Sequence, residues 1–177
     1  HWLSSRVLTP GLQALPCPSA ADRSVWDLES GSADRLSLLD LTMRAEADLD
    51  TPWPVPLAST WARLFDDGNR TDHEALVFSR QERLSRVAVA AASTLDDRFL
   101  TETADGIWLL CEQSSWCWPA HDDAHAKQGW VLPDVTHPFV DLGAGEVVAQ
   151  LAWIDQLLGE LLDEHFPGIR ERVRLEA

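Results

Sequence analysis

Between residues 108 and 125 the chain reads WLLCEQSSWCWPAHDDAH. Groups able to move protons, bind a metal, attack as thiolates or stack on flat rings gather there, just where helical periodicity stops. His121 and His125 stand four apart with Asp122 and Asp123 between them. On a helix that spacing would turn both imidazoles to one side, as a zinc site requires. Pro119 before the pair and Gly129 after it make a helix there doubtful, so the pair is a secondary metal candidate and the main expectation is no metal. Cys111 and Cys117 are possible nucleophiles, but no base and orienting group stand at a diagnostic spacing. Glu112, Gln113, Trp116, Trp118 and His121 offer a third chemistry. Flat aromatic faces beside amides and carboxylates are what a saccharide needs, the faces for ring carbons and the polar groups for hydroxyls. A loop tucked into the core by its tryptophans would produce the same composition.

The bulk of the sequence limits the partners. The chain has 177 residues, 29 acidic and 14 basic side chains, and a formal net charge of −15. Such a field repels nucleic acid and anionic membranes. The apolar runs are too short for a membrane-spanning helix, and the opening HWLSSRVLTPGLQALPCPSAAD is too broken to act as a secretory leader. Three cysteines, Cys17, Cys111 and Cys117, make no disulfide framework. Read as free thiols in a reducing compartment, they lean the location towards the cytoplasm. Tryptophan occurs nine times and tyrosine never.

The elements that must position these residues are helical. Residues 1–31 read as an irregular segment and 32–177 as one α-helical domain. Ser32 is a candidate N-cap for a helix to Leu49, with Leu36, Leu39, Met43 and Ala47 as its apolar stripe. Prolines 52, 54 and 56 forbid helix in TPWPVP. Helices follow over 57–65, 72–94, 97–112, 144–162 and 167–174, with Asp96 or Asp97 capping the fourth. Arg80, Arg83 and Arg86 form a stripe that faces solvent, pairs with acids or, at Arg80, meets a substrate carboxylate. Residues 113–142 lack helical period for some thirty positions, which is uncommon in a compact domain unless the loop is functional. Six helices and no strand make the chain all-α, with antiparallel helical hairpins. The helices over 97–112 and 144–162 are apolar around much of their circumference, as inner helices of a larger array are.

The order of these residues resembles the N-terminal α-helical region of the heparinase II/III-like family. The likeness lies in GIWLLCEQSSWCWPAHDD, in LPDVTHPFVDLGAGEVVAQLAWIDQLLG and in LDEHFPGIRERVRLE, with RQERLSRVAVAAASTLDDRFL similar to a helix pair upstream. Cys111-Glu112, Trp116, Pro119-Ala120-His121, Asp141-Leu142 and Leu151-Ala152-Trp153 match the family's pattern. The resemblance spans about residues 57–176 and implies the first half of an (α/α) toroid. The implied activity is β-elimination on uronic-acid-containing polysaccharide, with an acidic polysaccharide or oligosaccharide as partner and no cofactor. One group must neutralise the uronate carboxylate, a base must take the C5 proton, and an acid must protonate the leaving oxygen. Tyrosine, which shares the proton transfers in that family, is missing, and the family's Asn-His segment would lie beyond Ala177. The chain is therefore expected to supply cleft-lining residues (Glu112, Gln113, Trp116, Trp118, His121, Arg80), with His121 the candidate for proton transfer, and to be inactive alone. A non-catalytic saccharide-binding or scaffold domain is the alternative. A half-toroid would leave apolar helix faces open to self-association or to a missing C-terminal part.

Overall fold

The computed structural model describes residues 17–177 and is all-α. Among the described residues there are eight helices and no strand: α1 (Arg23–Trp26), α2 (Arg35–Asp48), α3 (Ala58–Asp66), α4 (Thr71–Thr94), α5 (Asp97–Cys111), α6 (Ala124–Gln128), α7 (Leu142–His165) and α8 (Ile169–Glu176). Six correspond to the helices expected from periodicity. The short α1 and α6 lie in stretches read as irregular, and residues 1–16 of the expected N-terminal segment fall outside the described residues. No described helix is long and apolar enough to cross a membrane.

α4 is the helix against which α2, α3, α5 and α7 all pack. Its inward positions are Leu84, Val87, Ala88, Ala91 and Ala92, small or branched side chains that let neighbouring backbones approach. Phe99, Leu100, Ile107 and Leu110 of α5, and Val147, Leu151, Ile154, Leu157, Leu158 and Leu162 of α7, complete the core. Gly106 permits one close approach: a Cβ there would lie 2.7 Å from the Trp53 ring and 2.9 Å from Leu84. The turn between α4 and α5 is tight, with Leu95 left-handed at φ 57° and Asp96 capping α5 by accepting from the Arg98 N–H at 2.9 Å.

Two expectations about α2 are corrected. Asp34, not Ser32, is its N-cap, accepting from the Ser37 N–H at 2.9 Å. The stripe Leu36, Leu39, Met43 and Ala47 faces outward, with Leu36 77% and Met43 66% exposed. The face turned inward is Leu38, Leu41, Thr42 and Ala45, a second three-to-four spacing on the same helix. Alanine at the contact brings α2 close to α4.

The arginines of α4 hold the proline-rich connector. Arg83 is 3% exposed and donates to Thr51 O, Thr51 Oγ1 and Pro52 O; it pairs with Glu102 at 2.7 Å and lies 4.2 Å from the Trp53 ring centre. Arg86 pairs with Asp48 at 2.9 Å. Arg80 donates twice to Pro54 O, at 2.6 and 3.1 Å. TPWPVP has few N–H groups and no regular structure, so its carbonyls depend on donors from elsewhere. Because Arg83→Ala removes the partner of half-buried Glu102 and the donor that ties Thr51 and Pro52 to α4, it is expected to cost about 2 kcal/mol in a denaturant titration. Arg98→Ala, which breaks an exposed pair with Glu46, should cost much less, because solvent screens such a pair. Equal losses would contradict the pinning role.

Candidate functional site

The connector, the far loop and α4 together line a partly open cavity of about 370 Å³. One side is Val55 to Ala58, the opposite side is Leu132, Pro133 and Val135, and the end of α5 with residues Gln113 to Ser115 closes a third. Trp61 of α3 and His73 and Arg80 of α4 line it as well. A volume in this range suits a small ligand or one or two sugar rings. Three of the six expected saccharide contacts, Arg80, Glu112 and Gln113, converge here. Trp116, Trp118 and His121 do not line the cavity.

Arg80 is the chemically unusual group. It is 4% exposed, and its guanidinium donates to Pro54 O, to Leu109 O at 3.2 Å and to Gln113 Oε1 at 3.2 Å. No carboxylate among the described residues pairs with it, unlike Arg83 and Arg86 on the same helix. Burial alone lowers its pKa from the ordinary arginine value, and a guanidinium stays charged through such a shift. A buried cation resting only on neutral acceptors is electrostatically under-compensated. The bonds to Pro54, Leu109 and Gln113 occupy four of its five N–H groups, leaving one on Nη2 for a further acceptor. Gln113 is fixed by its second bond, from Nε2 to Ser115 O at 2.8 Å. Glu112, at the end of α5, is exposed on the rim.

Sequence reading missed Trp61 and His73. Trp61 is buried in α3, and His73 meets it edge-on with ring centres 5.2 Å apart. His73 Nδ1 is 2.9 Å from Thr60 Oγ1, and Thr60 also receives the Leu57 N–H at the start of α3. The available signal was spacing: His73 and Arg80 stand seven apart, two turns of one helix face.

The remaining aromatics form a separate cluster organised by Asp141. Its carboxylate, 4% exposed, accepts from Ala144 N at 3.0 Å as the cap of α7, from Trp118 N at 3.1 Å, and from His121 Nδ1 at 2.7 Å. Gly143 is required beside it, since a Cβ there would lie 2.6 Å from the Trp118 ring. Trp118 stacks obliquely on His121 and edge-on to Phe78, while Trp116 Nε1 donates to Leu110 O at 2.8 Å. The Pro119-Ala120-His121 turn is closed by His121 N–H donating to Trp118 O at 2.9 Å.

His121 and His125 do not share a ligand position. His121 turns to Asp141, and His125, at the start of α6, stacks on Phe65 at 4.4 Å and reaches Trp130 O at 3.1 Å. Among the described residues no three His, Cys, Asp or Glu side chains gather as metal ligands. Cys17, Cys111 and Cys117 are free thiols. Burial raises the pKa of all three; at Cys117 the Asp141 charge pushes further in the same direction. They are poor nucleophiles near neutral pH.

No protein-family model matches this chain, and no curated protein matches it in sequence.

Burial raises the Asp141 pKa, but the hydrogen bonds from Ala144, Trp118 and His121 outweigh it, leaving the carboxyl below its ordinary value. A lowered carboxylate adds stability above the unfolded pKa of about 3.9 and loses it as pH falls through the folded value. Asp141→Asn should therefore cost about 2 kcal/mol at neutral pH. In melts repeated down the acid range, the gap from the parent chain should close. A gap that stays constant below pH about 3 would show that the charge is not what matters.

Proposed function

We propose that this chain binds an acidic saccharide in the cavity above α4, as the N-terminal helical part of a heparinase II/III-like polysaccharide lyase supplying one wall of the cleft. Supporting this are the residue-order resemblance and the gathering of Arg80, Gln113 and Glu112 around a cavity with Trp61 in its wall. The single observation that carries the reading is Arg80, a buried guanidinium with no carboxylate partner among the described residues, lining a partly open cavity. In β-elimination the uronate carboxylate must be neutralised before the C5 proton can leave, and Arg80 is the group here equipped to meet that carboxylate. The edge of Trp61, with Val55, Leu57 and Leu132, gives the cavity an apolar wall, and Gln113 and Glu112 can bond hydroxyls.

The overall charge of −15 disfavours a long polyanion laid across the outer surface, but not an acidic sugar whose carboxylate reaches a buried cation. Surface charge is screened within about 8 Å at physiological salt, whereas a buried guanidinium is not. His121, fixed by Asp141, would act as a general base only for substrate reaching beyond the cavity into the loop. That separation favours the second reading, in which the chain binds saccharide without transforming it.

Calorimetry with oligosaccharides of alginate, heparan and hyaluronan tests the reading. At least one series should bind saturably, and Gln113→Ala should weaken it about fivefold, the loss expected for one hydrogen bond. Trp26→Ala should leave affinity unchanged, because that indole is tied to Pro18 O at 3.0 Å and does not line the cavity. Absorbance of unsaturated product should stay flat with this chain alone. A folded chain that binds none of the three series would overturn the proposal.

A further inference from the structure

The saccharide reading leaves one cavity group unused. His73 is 4% exposed and stands on the same face of α4 as Arg80. Its Nδ1 is engaged by Thr60 Oγ1, and the Trp61 ring covers it from α3. Its Nε2 has no protein partner among the described residues, yet it is not one of the fully occluded polar atoms. An imidazole nitrogen that is unpartnered, on a buried residue lining a cavity, is open to whatever fills that cavity.

We propose that His73 is the second half of the anion-recognising wall: its Nε2–H and the Arg80 guanidinium together hold the ligand carboxylate, and the site takes up a proton as it binds. This rests on the cavity accepting an acidic sugar. It adds which residue shares the carboxylate with Arg80 and how binding answers to pH.

The charges around His73 give the sign. On its own helix, Glu74 is paired to Arg70 at 2.8 Å, and Arg80 lies two turns beyond His73. α3 presents Thr60 and Trp61, while Arg63 is engaged by Asp67 and Asp72. Glu112 stands on the rim at the end of α5, and Asp134 of the far loop is turned to Gln128 and Thr136. Burial, with Arg80 in support and Glu74 opposing, holds the imidazole below its ordinary pKa. The empty site is therefore neutral at His73 near pH 7. A carboxylate placed beside it raises that pKa. By linkage, binding then consumes protons, and affinity falls as pH rises through the pKa of the complex.

The probe is tri-galacturonate, titrated calorimetrically in buffers of different ionisation enthalpy between about pH 5.5 and 8. Up to about one proton per site should be taken up, and affinity should fall by up to about tenfold per pH unit. His73→Gln should bind with a flat pH profile and no proton uptake. In the parent chain, the His73 ring resonances should titrate at higher pH with ligand than without, a readout needing no variant. Binding without proton uptake, or uptake that survives His73→Gln, overturns the role of His73 and leaves the cavity reading standing. Absence of binding at every pH, by tri-galacturonate and by the alginate, heparan and hyaluronan series alike, overturns both.

Discussion

A connector with prolines at 52, 54 and 56 must lie against the bundle without regular structure, and its carbonyls must still be satisfied. The arginines of α4 meet that need. Arg83 and Arg80 reach out of the core-facing helix to Thr51, Pro52 and Pro54 and hold the connector across it. Where an acid is at hand, the guanidinium is neutralised: Arg83 by Glu102, Arg86 by Asp48. Among the described residues Arg80 has none, and it lines the cavity beside the connector it holds at Pro54. A structural solution to a proline-rich crossing thus leaves a buried positive charge beside a cavity.

The rest of the aromatic-rich break is held by a different device. Asp141 caps α7 and at the same time orients Trp118 and His121. One buried carboxylate thereby couples the start of a core helix to the turn before α6. The region that looked like one constellation in sequence is two: a cavity around Arg80, and a packed cluster around Asp141. Glu112 and Gln113 belong to the first, while Trp116, Trp118 and His121 belong to the second. The indoles of that second group have structural work already, with Trp116 bonded to Leu110 O and Trp118 wedged against Gly143.

Much of the fold was legible because helix signals are local. Periodicity located six helices, and Asp96 and the α4–α5 turn were readable from three residues. Which face of a helix turns inward was not. α2 carries two stripes with the same spacing, Leu36, Leu39, Met43 and Ala47 outside and Leu38, Leu41, Thr42 and Ala45 inside. The outer stripe is the more uniformly apolar, since the inner one holds Thr42, so hydrophobic pattern alone favoured the wrong face. The arginine stripe reads as facing solvent or pairing with acids. Arg83 and Arg86 do pair with acids, but Arg80 and Arg83 bond backbone carbonyls from buried positions that a run of charges does not announce. Arg80 was readable as a carboxylate-binding candidate, but Trp61 and His73 were not. They join the site only because α3 folds back over the start of α4.

The central claim is that an acidic sugar places its carboxylate on Arg80 with its ring against the apolar wall that includes Trp61. A crystal structure of the chain with a bound uronate trisaccharide tests it most directly. The account predicts a carboxylate within hydrogen-bonding distance of the Arg80 guanidinium, inside the space between the connector and Leu132–Val135. A sugar seated instead on the Trp118–His121 surface, with the cavity unfilled, would contradict it.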